Sequence, residues 1–548
     1  MSSRFMKGAM ILSLSMFVTR LLGLLYVIPF QQMVGPGGLA LYAYAYVPYS
    51  LLVTLSTLGI PLGIAKFISK YNADGEYDTS RKIFRVGMLM MIVVGIIGFL
   101  VMWLGAPLIA DRAMAGRQDL HNTRDDAIMA IRMVSFAVII VPPMSIFRGF
   151  FQGNQDMTPT AVSQFVEQLV RIALIIVFSF LVIHVFNGTA QTAVKVSVFA
   201  AFVAAVSSMF ILYRYWKKKK HGFDGLLALT RPHPRRPTKL LFKELLSYAL
   251  PFAILSLSAT WFQMIDTMTF NAGMISAGVD PEVAESLFGI FITALLKIVM
   301  IPVSFSIAFG QPLIPEITEK IRMRDAGGVH QTLTSAIMLT SFITIPAVIG
   351  LSLLSNPIFV LLFNTRSEEM NLLGGAMFGT GAFIALFMGL NSIISAIIQG
   401  VGLQFKSLIF LLIATVIKLV GNVILIPIFE FHGAVFSTIL AYAFCLLMNY
   451  LEIRKTTGIG TRIILRRHIS IFIFTGMMAV SVWLTTKVLD LFLDYTASSG
   501  AAALYVVIAG VVGALVYAGL AIYFDLAKLL FGDKLSFDLV KARFSRKT

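Results

Sequence analysis

Four basic side chains stand where an apolar chain has least use for them. Arg20, Arg171, Lys297 and Lys418 each fall near the middle of a long apolar stretch. A cation facing lipid at the bilayer centre costs roughly 2.5 to 3.5 kcal/mol. Four such costs, about 10 kcal/mol, rival the whole stability of a typical folded protein. These groups are therefore expected to point inward, and the chemistry they offer is anion capture. Arginine presents a planar fork to a phosphate, and lysine a point charge. Arg20 and Lys297 have no acid within a helical turn on their own segment and are read as substrate contacts. Arg171 has Glu167 one turn earlier, the spacing of an intrahelical pair, so pairing and substrate contact stand side by side. Lys418 is assigned to substrate by an internal repeat described below, with pairing inside the bundle as its alternative.

Other polar positions carry weaker signals. Asp266, near Gln263 toward the outer end of an apolar segment, is a candidate for a coupling cation, for pairing with a base, or for a wet helix end, with the last two favoured. Arg132, His184, Lys195 and Lys487 are placed near outer helix ends, where long side chains snorkel to the interface. Tyr42, Tyr44, Tyr46 and Tyr49 read as an aromatic belt. Pro48, Pro142, Pro143, Pro251 and Pro302 suggest kinked helices. There is no phosphate-binding loop, HExxH pair or haem-ligand spacing, and Cys445 is the single cysteine. No cofactor, metal or disulfide is expected.

The elements that position these residues are membrane helices. The chain has 548 residues, 58% hydrophobic and 13% charged, and a mean hydropathy of +0.86, far above what a soluble domain needs. About fourteen segments can span a bilayer. They fall at roughly 8–33, 39–65, 86–110, 127–150, 159–186 and 192–215, then 245–272, 285–313, 328–355, 373–400, 406–428, 432–453, 468–490 and 500–524. The first, preceded by Arg4 and Lys7, lacks a small-residue cleavage site and reads as a retained helix. With the N-terminus inside, about 33 Lys and Arg fall in inner connections and tails against about four outside (Arg112, Arg117, Arg124 and Arg366). Both termini are expected in the cytoplasm, and the net charge of +17 reflects topology rather than a nucleic-acid partner. The longest inner loop carries Lys217 to Lys220, Arg231, Arg235, Arg236, Lys239 and Lys243. It reads as a linker between halves, with a hold on anionic headgroups as the alternative.

The halves repeat. Phe151-Gln-Gly153 leading to Arg171 lies over Ile398-Gln-Gly400 leading to Lys418, and Ile60-Pro61 over Ile314-Pro315. Each half holds an even number of helices, so the relating axis runs along the membrane normal. The expected fold is an all-α, polytopic protein: two six-helix lobes around a central cavity, plus two C-terminal helices. The expected divisions are an N-lobe at 1–216, a linker at 217–243, a C-lobe at 244–455, and the last two helices with the tail at 456–548.

Thr19-Arg20-Leu-Leu-Gly23, Arg148-Gly-Phe-Phe-Gln-Gly153, and Pro159 through Arg171, on this architecture, resemble the polysaccharide-exporter branch of the MOP superfamily. Within it the chain is similar to the MurJ-type lipid II flippases of Gram-positive bacteria. The resemblance implies a multi-pass bacterial cell-membrane protein that flips an undecaprenyl-pyrophosphate-linked sugar and peptide unit outward by alternating access, acting as a monomer. It places Arg20 on the family's helix-one arginine and Lys297 on its eighth-helix arginine, and it gives the last two helices a groove for the polyprenyl tail. Tyr26 and the region of Leu52 depart from the proteobacterial pattern, which carries arginines there. The expected partners are a lipid-linked anionic glycan and membrane lipids. Three rivals differ in chemistry. A flippase for another lipid-linked glycan would look alike, a MATE-type exporter of cations would line its cavity with acids, and a membrane glycosyltransferase would need outward-facing catalytic carboxylates.

Overall fold

The computed structural model describes residues 22–23, 26–57, 59–117, 119–234, 236–245, 247, 257–365, 367–458 and 461–526. Arg20 lies outside these described residues. All regular elements among them are helical. They form two compact units, one of Met1–Ala294 with Asn422–Glu430, the other of Leu295–Gly421 with Phe431–Thr548.

The first unit contains α1 (Val27–Thr57), α2 (Gly59–Asp74), α3 (Tyr77–Ala113), α4 (Arg124–Gly153), α5 (Thr158–Phe180), α6 (Ala190–Leu227), α7 (Ser258–Ser276) and α8 (Pro281–Ile290). The second contains α9 (Leu296–Arg322), α10 (Ala326–Leu353), α11 (Ser355–Leu362), α12 (Glu368–Val401), α13 (Gln404–Phe429), α14 (Phe431–Thr457), α15 (Thr461–Leu489) and α16 (Ser499–Tyr523), with α13 from Asn422 onward counted in the first. Single π turns extend α5 over Leu181–Val185 and join α8 to α9 over Phe291–Leu295.

Twelve of the described helical runs are long and apolar enough to cross a membrane. The further spans predicted at 8–33 and 245–272 overlap residues outside the description. Outward-facing apolar side chains such as Leu104, 72% exposed on α3, fit a lipid surround rather than water. The chain is a multi-pass, all-α membrane protein.

α1 is helical throughout except at Gly35 (φ 71°, ψ 177°), a conformation that only glycine adopts without strain. The Tyr26 and Tyr42 hydroxyls are 3.2 Å apart. In a straight helix these residues would be separated by about 24 Å of rise, so the chain doubles back at Gly35, between the first two predicted spans.

Each unit is organised around one helix rich in small residues. α4 packs against α1, α2, α3 and α6 and buries Ala127, Ala130, Ala137, Gly149 and Gly153. α12 packs against α9, α10, α11 and α14 and buries Gly374, Gly381, Gly389 and Gly400. Without a hydrophobic drive in lipid, close backbone approach supplies the attraction, and small residues permit it. The same contact recurs in the two halves. A Cβ on Gly153 would lie 2.8 Å from the Ala65 carbonyl and from Ile68, and one on Gly400 3.2 Å from the Ile314 carbonyl and 3.0 Å from Ile317. In both cases the glycine meets a carbonyl and the isoleucine one turn on.

Two expectations are corrected. The basic run Lys217 to Lys220, placed in a loop, lies on α6, which continues to Leu227. Charge marks where the chain leaves lipid, not where the helix stops, and Trp216 and Phe223 hold the extension against the aromatic core around Phe147 and Phe150. The tyrosines of α1 do not form a lipid-facing belt. Tyr42, Tyr44 and Tyr49 are buried: Tyr42, Tyr46 and Tyr49 share one helix face that turns into the unit, and Tyr44, on another face, stacks on Phe288.

Candidate functional site

The turn after α4 sets up the polar cluster of the first unit. Gln155 adopts φ 59°, and Pro159 stands in the first turn of α5, where its fixed φ starts a helix and its missing N–H is not required. The chain reverses, and α5 returns against α4 and α6. Arg148, near the end of α4, thereby meets side chains about one and a half to nearly three turns into α5.

Glu167 sits between two guanidinium groups. Arg148 Nη2 donates to its Oε2 at 2.7 Å, and Arg171 Nη2 to its Oε1 at 2.8 Å. Arg148 also donates to the hydroxyls of Ser208 (2.9 Å) and Ser163 (3.2 Å). Arg171 Nη1 donates to Tyr46 Oη at 3.2 Å. The three charged side chains are only 11–14% exposed. One carboxylate thus answers two cations, and the cluster carries a surplus positive charge in a low-dielectric setting, where an uncompensated ion costs several kcal/mol. Arg171 Nε is buried and has no hydrogen-bond acceptor, a deficit worth about 1–3 kcal/mol. An anion reaching this cluster would answer both shortfalls.

The i−4 partnership of Glu167 with Arg171 stands as the spacing suggested. Arg148, quoted in the sequence motif but given no role there, is the partner that sequence reasoning missed, and it comes from another helix.

The remaining predicted residues are not part of this cluster. Lys418, on α13, is fully buried and donates to Thr438 Oγ1 (2.6 Å), Ser437 Oγ (3.1 Å) and the Ala434 carbonyl (3.1 Å). An ammonium has three protons, and these neutral oxygens on α14 can take them all. Lys297 is half-buried at the start of α9, directly after the π turn. Asp266, 2% exposed on α7, accepts from Asn422 Nδ2 at 2.8 Å, and Asn422 also donates to Thr269. Asp266 is thus a buried group, not one at a wet helix end. Lys195 pairs with Asp126 at 2.6 Å, and Arg132 lies 5.3 Å from the centre of the Trp103 ring.

A second buried carboxylate was not anticipated. Glu285, at the predicted edge of its span, is fully buried and accepts from Tyr44 Oη (3.0 Å), Asn122 N (3.1 Å) and Asn122 Nδ2 (3.0 Å). Among the described residues no group of three or more His, Cys, Asp or Glu is placed to hold a metal ion.

Comparison with known proteins places this arrangement. The sequence matches the family described as polysaccharide biosynthesis protein over residues 5–320. It is 38% identical, over 94% of this chain and 95% of the other, to the lipid II flippase MurJ of Bacillus subtilis (strain 168). Among solved structures, the fold matches a lipid II flippase MurJ in an inward closed conformation with a TM-score of 0.68 at 15% identity, covering 94% of this chain and 99% of that one. It matches an inward-facing multidrug resistance MATE transporter of the MOP superfamily with a TM-score of 0.64 at 16% identity, covering 81% and 98%. With a family match over more than half its length and a full-length relative well above 30% identity, this chain belongs to the polysaccharide biosynthesis protein family, and its fold is that of the MurJ and MATE structures it matches.

Proposed function

We propose that the chain is a flippase that moves a lipid-linked, pyrophosphate-bearing glycan precursor of the lipid II type from the inner to the outer leaflet. The observation that carries this reading is the surplus cation of the Arg148–Glu167–Arg171 cluster, buried at membrane depth in a relative of a lipid II flippase. A pyrophosphate entering a low-dielectric chamber needs compensating positive charge, and a guanidinium with an unused N–H supplies charge and direction together. A cation exporter on the same fold would gain nothing from that sign.

In this reading Arg20 and Lys297 grip the pyrophosphate, as the family resemblance implies, and Arg171 adds field and a hydrogen bond. Lys418 acts as a strut joining α13 to α14, because its protons are taken up by oxygens of α14. The repeats at 1–216 and 244–455 move against each other to alternate access, 217–243 connects them, and the last two helices within 456–548 accommodate the prenyl tail. The protein works as a monomer without nucleic acid, in the bacterial cell membrane, with both termini in the cytoplasm.

The test is growth of a bacterium depleted of its own lipid II flippase. Expression of this chain is expected to restore growth and the appearance of lipid II at the outer leaflet. Normal membrane insertion without either would reject the reading, and rescue of a strain lacking a different lipid-linked glycan exporter instead would redirect it.

A further inference from the structure

A second group of cations surrounds a cavity of about 300 Å³ formed by α3, α4 and α6, whose lining contains none of the Arg148, Glu167 and Arg171 cluster. One wall is aromatic. The Phe84 and Phe150 rings are 4.7 Å apart, the Phe150 and Phe223 rings 5.0 Å, and Trp216 completes the surface. Because these rings belong to the packed core around Phe147, the wall is preformed. The opposite side carries Arg81, Arg85 and Lys220 with a single acid, Asp224.

Charge is unbalanced here. Arg81 forms an ion pair with Asp224, which uses the one carboxylate. Neither Arg85 nor Lys220 forms an ion pair among the described residues. The Lys220 ammonium instead lies 5.6 Å from the centre of the Trp216 ring, beside the aromatic lining of the cavity. The lining is therefore two positive charges in excess beside a flat apolar face, around a space equal to roughly ten water molecules. A merely hydrated recess has no need of the aromatic side, and an apolar guest has no need of the cations. An amphipathic anion of few carbons uses both.

The start of α3 and the end of α6 lie on the side that the distribution of Lys and Arg assigns to the cytoplasm, where the leaflet is anionic. We propose that this cavity binds a phosphate ester at the cytoplasmic face, Arg85 and Lys220 holding the phosphate and the Phe84, Phe150, Phe223 and Trp216 wall packing its carbon portion. The phosphate is carried either by a phospholipid headgroup or by a soluble metabolite.

Full-length protein in neutral detergent is titrated with phosphatidylglycerol in one arm and with glycerol 3-phosphate in the other, and bound states are counted by native mass spectrometry. Wild type is expected to bind, with R85Q/K220Q weaker by about tenfold or more, since each lost contact is a charge-assisted hydrogen bond. K217Q/K218Q removes two exposed lysines of the same helix that do not line the cavity and is expected to bind as wild type. Binding in the lipid arm alone assigns the site to a headgroup, and binding in both arms assigns it to phosphate esters at large. Thermal unfolding checks that the variants are folded, and R85K, which keeps the charge, is expected to retain most of the binding if the double variant is not stable. No binding in either arm, equal binding by wild type and R85Q/K220Q, or an equal loss in K217Q/K218Q would overturn the proposal.

Discussion

Arg171 and Lys418 occupy matching positions in the two halves of the repeat, yet their charges are met in opposite ways. Arg171 shares a carboxylate with Arg148, keeps an N–H without an acceptor and leaves its surroundings positive. Lys418 donates to two hydroxyls and a carbonyl of α14. A guanidinium has five donors in a fixed fork, so the two partners of Arg171 leave capacity to spare, whereas an ammonium has three protons for the three oxygens around Lys418. Matching places in two apolar helices therefore hold a guanidinium with an N–H to spare in one half and an ammonium bound to a neighbouring helix in the other. What separates them is the balance of donors and acceptors, not the presence of charge.

The comparison can be broken from either side. The largest effect is expected for Glu167→Gln, which strands two buried guanidiniums. Removing one partner of a buried ion pair costs about 3–5 kcal/mol, to be read as a lowered midpoint in denaturant unfolding of the purified protein. Arg171→Lys keeps the charge but loses the fork. It is expected to slow transport about 10- to 100-fold, equivalent to one or two charge-assisted hydrogen bonds, with insertion intact in a flipping assay on labelled lipid II. Wild-type rates there would remove Arg171 from the site.

Lys418→Met is the counterpart. Methionine fills much the same volume, and Ser437 and Thr438 already donate to the Ala434 carbonyl, so neither hydroxyl proton is stranded. The variant should unfold within about 1 kcal/mol of wild type and transport normally. A dead K418M would dissolve the contrast between the halves.

The smallest effect concerns the strap after α6, outside the membrane. His233 Nε2 lies 2.7 Å from Asp78, and Arg236 grips Glu76 at 2.8 and 2.9 Å. The hydrogen bond to Asp78 raises the imidazole above its usual range, while the Arg236 contact holds the Glu76 carboxyl below the usual one. A raised histidine contributes fully below its unfolded value, about 6.5, and its contribution is lost as pH rises through the folded value. Amide exchange of residues 228–236 should accelerate as pH passes from 6 toward 8 in wild type, after correction for intrinsic rates, and His233→Gln should flatten that dependence.

The fold was largely legible because bilayer thickness imposes a length on apolar runs. The spans expected at 127–150, 468–490 and 500–524 match the apolar stretches Arg124–Gly153, His468–Leu489 and Ser499–Tyr523 to within about three residues. Helix ends beyond lipid were not, since Lys217 to Lys220 favour helix as readily as the apolar residues before them. The site was half legible. Glu167 and Arg171 share a helix, so spacing alone connects them. Arg148 reaches them only because the turn at Gln155 reverses the chain. The tyrosines carried a usable signal, the i, i+4, i+7 spacing of Tyr42, Tyr46 and Tyr49, but a belt and an inward stripe share that period until Arg171 selects the face. Glu285 stood at the predicted margin of lipid, and only tertiary contacts with Tyr44 and Asn122 reveal it as interior.

The π turn over Phe291–Leu295 has a consequence for sequence change. Such a turn accommodates one residue more than α-helical winding would, so everything after it is set at a fixed azimuth, Lys297 first of all. Deleting one residue between 291 and 295 would let the stretch wind as plain α-helix and leave the azimuth of Lys297 nearly as it is, whereas inserting one would leave composition and hydropathy almost untouched and yet swing Lys297 by about 100°. Insertions in this stretch should therefore be tolerated far less well than a single deletion, because what they disturb is the direction of a charge and not its amount.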